Sequence, residues 1–183
     1  MTNYLVFVII MWKNKEKGFS PKMTVREVTA ADISACNEIY ENARLYMRRS
    51  GNLEQWAGVY PGTSDIKGDM ARGTSYLVDD GGEIVAVFHF HLGDDPTYGK
   101  IYGGEWKNPD PYGVIHRIAV KHHGRGIADM IYGYCFAKCG NLKIDTHKDN
   151  TPMQRSLEKN GFEYCGIIHL ATGEERMAYQ KTR

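Results

Sequence analysis

The chain reads as an α+β domain whose middle strands can splay around a ligand, and three observations carry that reading. The first 50 residues of the domain hold a helical stripe rather than an α/β alternation. The middle holds a β-meander with a tight Asp-Gly turn. The last 70 residues alternate strand, helix, strand, helix, strand and end in a hairpin.

Each element has a local cause. Met23-Thr-Val-Arg-Glu-Val28 is a first strand. Thr29-Ala-Ala-Asp32 opens a helix with a cap, after which Ile33, Cys36, Tyr40, Ala43 and Met47 form an apolar stripe that Gly51 closes. Residues 52–62 are a loop with Trp56 and Tyr60, and a short helix is expected over 64–72. Residues 74–78 and 83–91 are strands joined at Asp79-Asp80-Gly81-Gly82, since Asp and Gly tolerate the positive φ of such turns. In the second strand Ile84, Ala86, Phe88 and Phe90 alternate against Val85 and Val87.

Residues 93–112 are the longest irregular stretch, and a loop of that length inside a domain is functional or disordered. Its aromatics, Tyr98, Tyr102, Trp106 and Tyr112, argue for order, with a short strand near 100–102. Val114 to Val120 is a buried strand interrupted by His116 and Arg117. A glycine-bearing turn, His123-Gly124-Arg125-Gly126, then feeds a helix to about Lys138, closed by Gly140. A short strand over 142–146, a helix near 150–160 and a hairpin around Ala171-Thr-Gly173 complete the domain.

The N-terminal run Tyr4 to Trp12, followed by basic residues to Lys17, is shorter than the roughly 20 residues a bilayer span needs. It also lacks the charge order of a secretory signal. Residues 1–22 are read as an extension outside the fold, with docking on the domain or a partner as the alternative, and 23–183 as one domain. A net charge of +1 gives no footprint for nucleic acid or an anionic membrane. Cys36, Cys135, Cys139 and Cys165 make no C-x-x-C pair and read as buried free thiols of a cytoplasmic protein with no metal site.

A strand running through glycines into a helix start presents unpaired N–H groups that favour a phosphate. Gly124-x-Gly126 is not a dinucleotide fingerprint, because the third glycine position is Asp129, and no P-loop lysine follows. The stretch Ile118-Ala119-Val120, Lys121-His122, His123-Gly124-Arg125-Gly126-Ile127-Ala128 instead resembles the acetyl-CoA motif of the GNAT N-acetyltransferases. Asp145-Thr146, Asn150 and the run from Leu157 to Gly161-Phe162 resemble a second hallmark of that family, and the opening phrase Met23–Ile33 and the Asp79–Glu83 hairpin also fit, so the likeness spans about 23–180.

The resemblance implies a central mixed, mostly antiparallel sheet with splayed middle strands flanked by helices. It implies acetyl-CoA as co-substrate, its pyrophosphate on the amides of 124–128 and its pantetheine along Ile118 to Val120 and beside Asn150. His123 stands where the family has Arg or Gln. Arg125 is either a phosphate contact or a solvated side chain, and Asn150 a pantetheine contact, a helix cap, or both.

Leu157 replaces the tyrosine that many relatives use to protonate the departing thiolate. Tyr164, Tyr132 or water are the substitutes considered. A thiol pKa of about 8.5 makes the leaving group tolerable without a dedicated acid. For the base, His116 is first, placed on the face of Val114, Ile118 and Val120, with a core histidine satisfied by the backbone as its alternative; Glu105 is second, otherwise a solvated loop carboxylate, ahead of Glu83, His89 and His91. Trp56, Tyr60, Trp106 and Tyr112 with Asp94, Asp95 and Glu105 suggest an aromatic, acidic pocket for a small cationic amine. The competing expectation is an acyl-CoA-binding module that lost the chemistry. A homodimer through the terminal hairpin is an open expectation.

Overall fold

Four helices and a seven-stranded sheet make up residues 23–183, the part of the chain that this computed structural model describes. The expectations for residues 1–22 lie outside the described residues. The elements are β1 (Met23–Glu27), α1 (Ile33–Arg49), α2 (Thr63–Ala71), β2 (Ser75–Asp80), β3 (Glu83–Leu92), β4 (Gly113–Val120), α3 (Ile127–Cys139), β5 (Asn141–Thr146), α4 (Thr151–Lys159), β6 (Glu163–His169) and β7 (Glu175–Thr182). The sheet order is β1-β2-β3-β4-β5-β7-β6, antiparallel throughout except for β4 against β5.

Helices cover both faces. Below one face, α1 buries Cys36, Ile39 and Tyr40 against Leu77, Val87 and Ala119. Above the other, α3 buries Ile127, Ile131 and Cys135 against Ala86, Phe88, Phe90 and Ile115. The period-two alternation of β3 serves both cores, so Val87 and Phe88 point opposite ways. One detail departs from the expected alternation. A bulge opposite Val78/Asp79 sends Ile84 to the α1 side and Val85 to the α3 side, because an extra residue inverts the phase of the strand beyond it.

The start of α1 is fixed as the sequence suggests. The Thr29 amide and hydroxyl donate to Asp32 at 2.8 and 2.7 Å, and Arg26 grips the same carboxylate with two bonds of 2.7 and 2.9 Å. The loop over 93–112 is ordered by its aromatics. Tyr98 is buried, Trp106 Nε1 donates to its carbonyl at 2.9 Å, and Tyr102 exchanges two 2.8 Å main-chain bonds with Ile167. Only that bridge forms where a short strand was expected. Gly104 allows the approach, since a Cβ there would stand 2.1 Å from the Cys165 carbonyl oxygen. Cys36, Cys135 and Cys165 are buried, and all four thiols are free. No helix among the described residues is long and apolar enough to cross a membrane.

Candidate active site

The sheet opens in its middle. Strands β4 and β5 pair in register only at Gly113 with Leu142 and Val114 with Lys143, after which they part. Gly113 sits at the crotch of this V, where a Cβ would press within 2.7 Å of the Phe90 ring and 3.0 Å of Cys139 Sγ.

A bulge in β4 then divides the strand chemically. Val87 pairs with Ala119 and His89 with His116, leaving Phe88 alone opposite both Arg117 and Ile118. Arg117 takes the left-handed conformation, φ +51°, which residues other than glycine rarely adopt. The extra residue inverts the phase, so His116 does not share a face with Ile118 and Val120, contrary to the sequence expectation. It keeps the side of Val114 and of His89, while Ile118 and Val120 pack toward the α3 core. Bulges recur beside active sites because they re-aim a side chain in this way.

His116 is thereby delivered into a cavity of about 410 Å³ inside the V. Its Nε2 donates to Asp95 Oδ2 at 2.9 Å, and its Nδ1 lies 3.6 Å from Asp145 Oδ1. Burial alone would raise the Asp95 carboxyl. The bonds from His116, the Thr97 amide and the Thr97 hydroxyl outweigh it and hold Asp95 well below the usual carboxylate range. Asp145 is itself fixed by the buried Tyr98 hydroxyl at 2.7 Å and lies 3.8 Å from Arg176 Nε. With Asp95 on Nε2–H, the neutral ring carries its lone pair on Nδ1.

Behind the bulge, Arg117 reaches buried Asp69, which also takes Arg72 at 2.7 Å and has His89 Nδ1 at 3.1 Å. Burial raises the Asp69 carboxyl, but His89 and Arg117 together hold it low. Burial holds His89 below the usual histidine range. Arg117 Nη1 also donates to the Tyr60 hydroxyl at 3.2 Å, tying the α1–α2 loop to β4.

A second groove of about 130 Å³ runs on from the cavity, with Met47, Ile118, Asn150 and Met153 lining both. Ala119, Val120, His123, Ala128 and Ser156 are among the other residues of its wall. It leads to the N-terminus of α3, whose cap Gly126 has φ +71° and no side-chain capping bond. Gly124 has φ +77° and open space where a Cβ would stand. Such an uncapped helix start with bare glycines is a fitting seat for a phosphate. Ile127 offers only its amide there, since its side chain is core. His123 stacks on Tyr46 at 4.1 Å, and Arg125 lies 3.6 Å from Asp80. Asn150 caps α4 through the Met153 amide and donates to Gln55 Oε1 at 2.9 Å.

Several sequence candidates fall elsewhere. Glu105 is exposed and lines neither space. Tyr164 is 50% exposed on edge strand β6, set edge-on to Tyr179. Tyr132 is buried, with its hydroxyl 3.4 Å from Met153 Sδ. Leu157 lies wholly inside the core, so that helix position does not face the groove. Trp56, Tyr60 and Asp95 do line the cavity; Trp106, Tyr112 and Asp94 do not. Trp106 and Tyr112 instead box the buried ammonium of Lys143, at 4.2 and 3.8 Å from their ring centres. Glu83 is bonded to Lys121 at 2.8 Å outside the cavity, and His91 stands 2.9 Å from His89. Glu54, Gln55, Asp145 and Arg176 also line the cavity, although none is a sequence candidate for it. Asp145 alone gave a signal, a carboxylate at the end of a short apolar strand.

The Acetyltransferase (GNAT) family matches this chain over residues 36–162, well over half of its length. The chain belongs to that family. A GNAT acetyltransferase from Streptococcus agalactiae is 30% identical, with a TM-score of 0.81 over 88% of this chain and 95% of its own. Another from Listeria monocytogenes is 19% identical, with a TM-score of 0.63 over 87% and 94%. A protein from Salmonella typhimurium, solved with its cofactor acetyl-CoA, superposes with a TM-score of 0.54 over 88% and 94% at 15% identity. No curated protein matches the chain significantly. The open V, the mixed sheet and its helical covers are those of a GNAT acyltransferase.

Proposed function

We propose that this GNAT protein transfers the acetyl group of acetyl-CoA to a primary amine of a small molecule, by direct attack within a ternary complex. The observation that carries the proposal is His116, held by Asp95 in a cavity continuous with a groove that ends at an uncapped helix N-terminus. The bound co-substrate would supply an activated thioester. The amides of residues 124–128 would hold its pyrophosphate. Ile118, Ala119, Val120 and Asn150 would hold the pantetheine, with His123, Arg125, Ile127 and Ala128 at its border.

An alkylamine with pKa about 10.4 arrives protonated and must lose a proton to attack. Nδ1 of His116 is the ring nitrogen that can take it, directly or through one water. The imidazolium so formed has a carboxylate at each nitrogen, Asp95 on one side and Asp145 on the other. A strand amide near Ile118–Val120, where the family resemblance implies the oxyanion donor, would serve the developing oxyanion, and the bulge leaves Ile118 there without a ladder partner. Water protonates the departing thiolate, since Leu157 and Tyr132 are sealed in the core and Tyr164 is remote. Glu105 has no part in this scheme.

His116→Ala tests it. Turnover falls by about a hundredfold or more, the usual share of a general base, while acetyl-CoA affinity in a calorimetric titration stays as it was. Unchanged turnover removes His116 from the mechanism. The buried Leu157 favours the second reading, an acyl-CoA-binding module, which predicts binding without amine-dependent thiol release in the wild type as well.

A further inference from the structure

The cavity is unbalanced in what it asks of a ligand. Among the described residues, Glu54, Asp95, Asp145 and Glu174 line it against two guanidiniums, Arg117 and Arg176. Both guanidiniums are engaged, Arg117 by Asp69 and Arg176 by Glu174 at 2.7 Å. Asp95 is filled by His116 and Thr97. Glu54, a solvent-exposed carboxylate at the cavity's edge, has no hydrogen bond or ion pair with any described residue, and Trp56 and Tyr60 of its own loop line the same cavity. One buried group of the lining is unsatisfied. Thr146 is fully buried, lines the cavity, and its hydroxyl has no partner. An orphaned buried hydroxyl costs free energy that a polar ligand would recover.

The chemistry of transfer sharpens what the ligand is. The attacking amine must be neutral when it reacts, and a free carboxylate beside it would hold it as an unreactive ammonium. Glu54 is therefore matched to a different cation on the same molecule. Carboxylate plus aromatic faces is the usual recognition of an ammonium. Resting on the transferase reading of this cavity, we propose that the acceptor is a diamine-type molecule. One nitrogen loses its proton near His116 and Thr146, and a second, non-reacting ammonium is held by Glu54, Trp56 and Tyr60.

Three amines of equal chain length, differing only in the far group, test the proposal: 1,4-diaminobutane, butylamine and 4-aminobutanoic acid. Thiol release from acetyl-CoA is expected to rank them in that order, with kcat/KM for the diamine at least about tenfold above butylamine, a difference of about 1.4 kcal/mol. The advantage should lie in KM, shrink with added salt, and largely vanish in Glu54→Gln. Equal or better use of butylamine, or a diamine preference that survives Glu54→Gln, overturns the inference while leaving the transferase intact. Should no amine release thiol, the transferase reading fails by itself. The acceptor role then falls with it, and titration of the same three compounds into the protein with CoA decides the ammonium seat: Glu54-dependent binding of the diamine upholds the seat, and its absence overturns it.

Discussion

At the scale of residues, one ring nitrogen of His116 faces the ligand space because Asp95 occupies the other. Asp95 is held low in pKa by His116 and Thr97 against the opposing effect of burial. A depressed folded pKa stabilises the native state above the unfolded value of about 3.9 and loses that contribution as pH falls toward the folded value. Asp95→Asn should thus cost about 2 kcal/mol at pH 7, as a charge-assisted bond does, and flatten the acid limb of stability below about pH 4. Urea melts at pH 7 and pH 3 check both statements, and equal losses at the two pH values would contradict them. The histidine was legible in the sequence as a polar break in an apolar strand. Its partners were legible only in part: Asp95 was named for an acidic pocket, and Asp145 only as a strand end. Tyr98 comes from a loop whose docking no local pattern encodes. Leu157 was flagged as a missing tyrosine, but its place in the core follows from how α4 packs.

At the scale of elements, strand and helix boundaries followed the 2.0 and 3.6 periodicities closely, because each element is amphipathic or capped by its own residues. What periodicity concealed were the bulges in β3 and β4. A bulge adds one residue without any compositional mark, and every side chain beyond it changes face. Arg117, at φ +51°, is where that happens in β4. The long loop misled for a related reason: Trp106 and Tyr112 are aromatic enough to line a pocket, yet they cover Lys143. The α3 start was more readable, since its glycines declare a backbone need. Gly126→Ala puts a Cβ at φ +71°, a left-handed strain of about 1–2 kcal/mol. Thermal melts should show that loss, and calorimetry should show weaker acetyl-CoA binding. A variant that keeps full affinity would separate this turn from the pyrophosphate site.

For the molecule as a whole, β4 and β5 pair only at the base of the V, while the core under α3 runs across both halves of the sheet and a second core lies on the other face. A ligand lying between β4 and β5 would therefore tie the two halves together. Acetyl-CoA at a hundred times its Kd should add about 2.7 kcal/mol, a rise in Tm of about 5–10 °C for a domain of this size. Absence of any rise at saturating acetyl-CoA would remove the cofactor assignment. The central claim is that this V is a site of amine acetylation rather than of binding alone, and free-thiol release from acetyl-CoA measures it most directly. Release should depend on the added amine, rise with pH as the amine loses its proton, and collapse in His116→Ala. Acetyl-CoA binding with no amine-dependent release across mono- and diamines would contradict it.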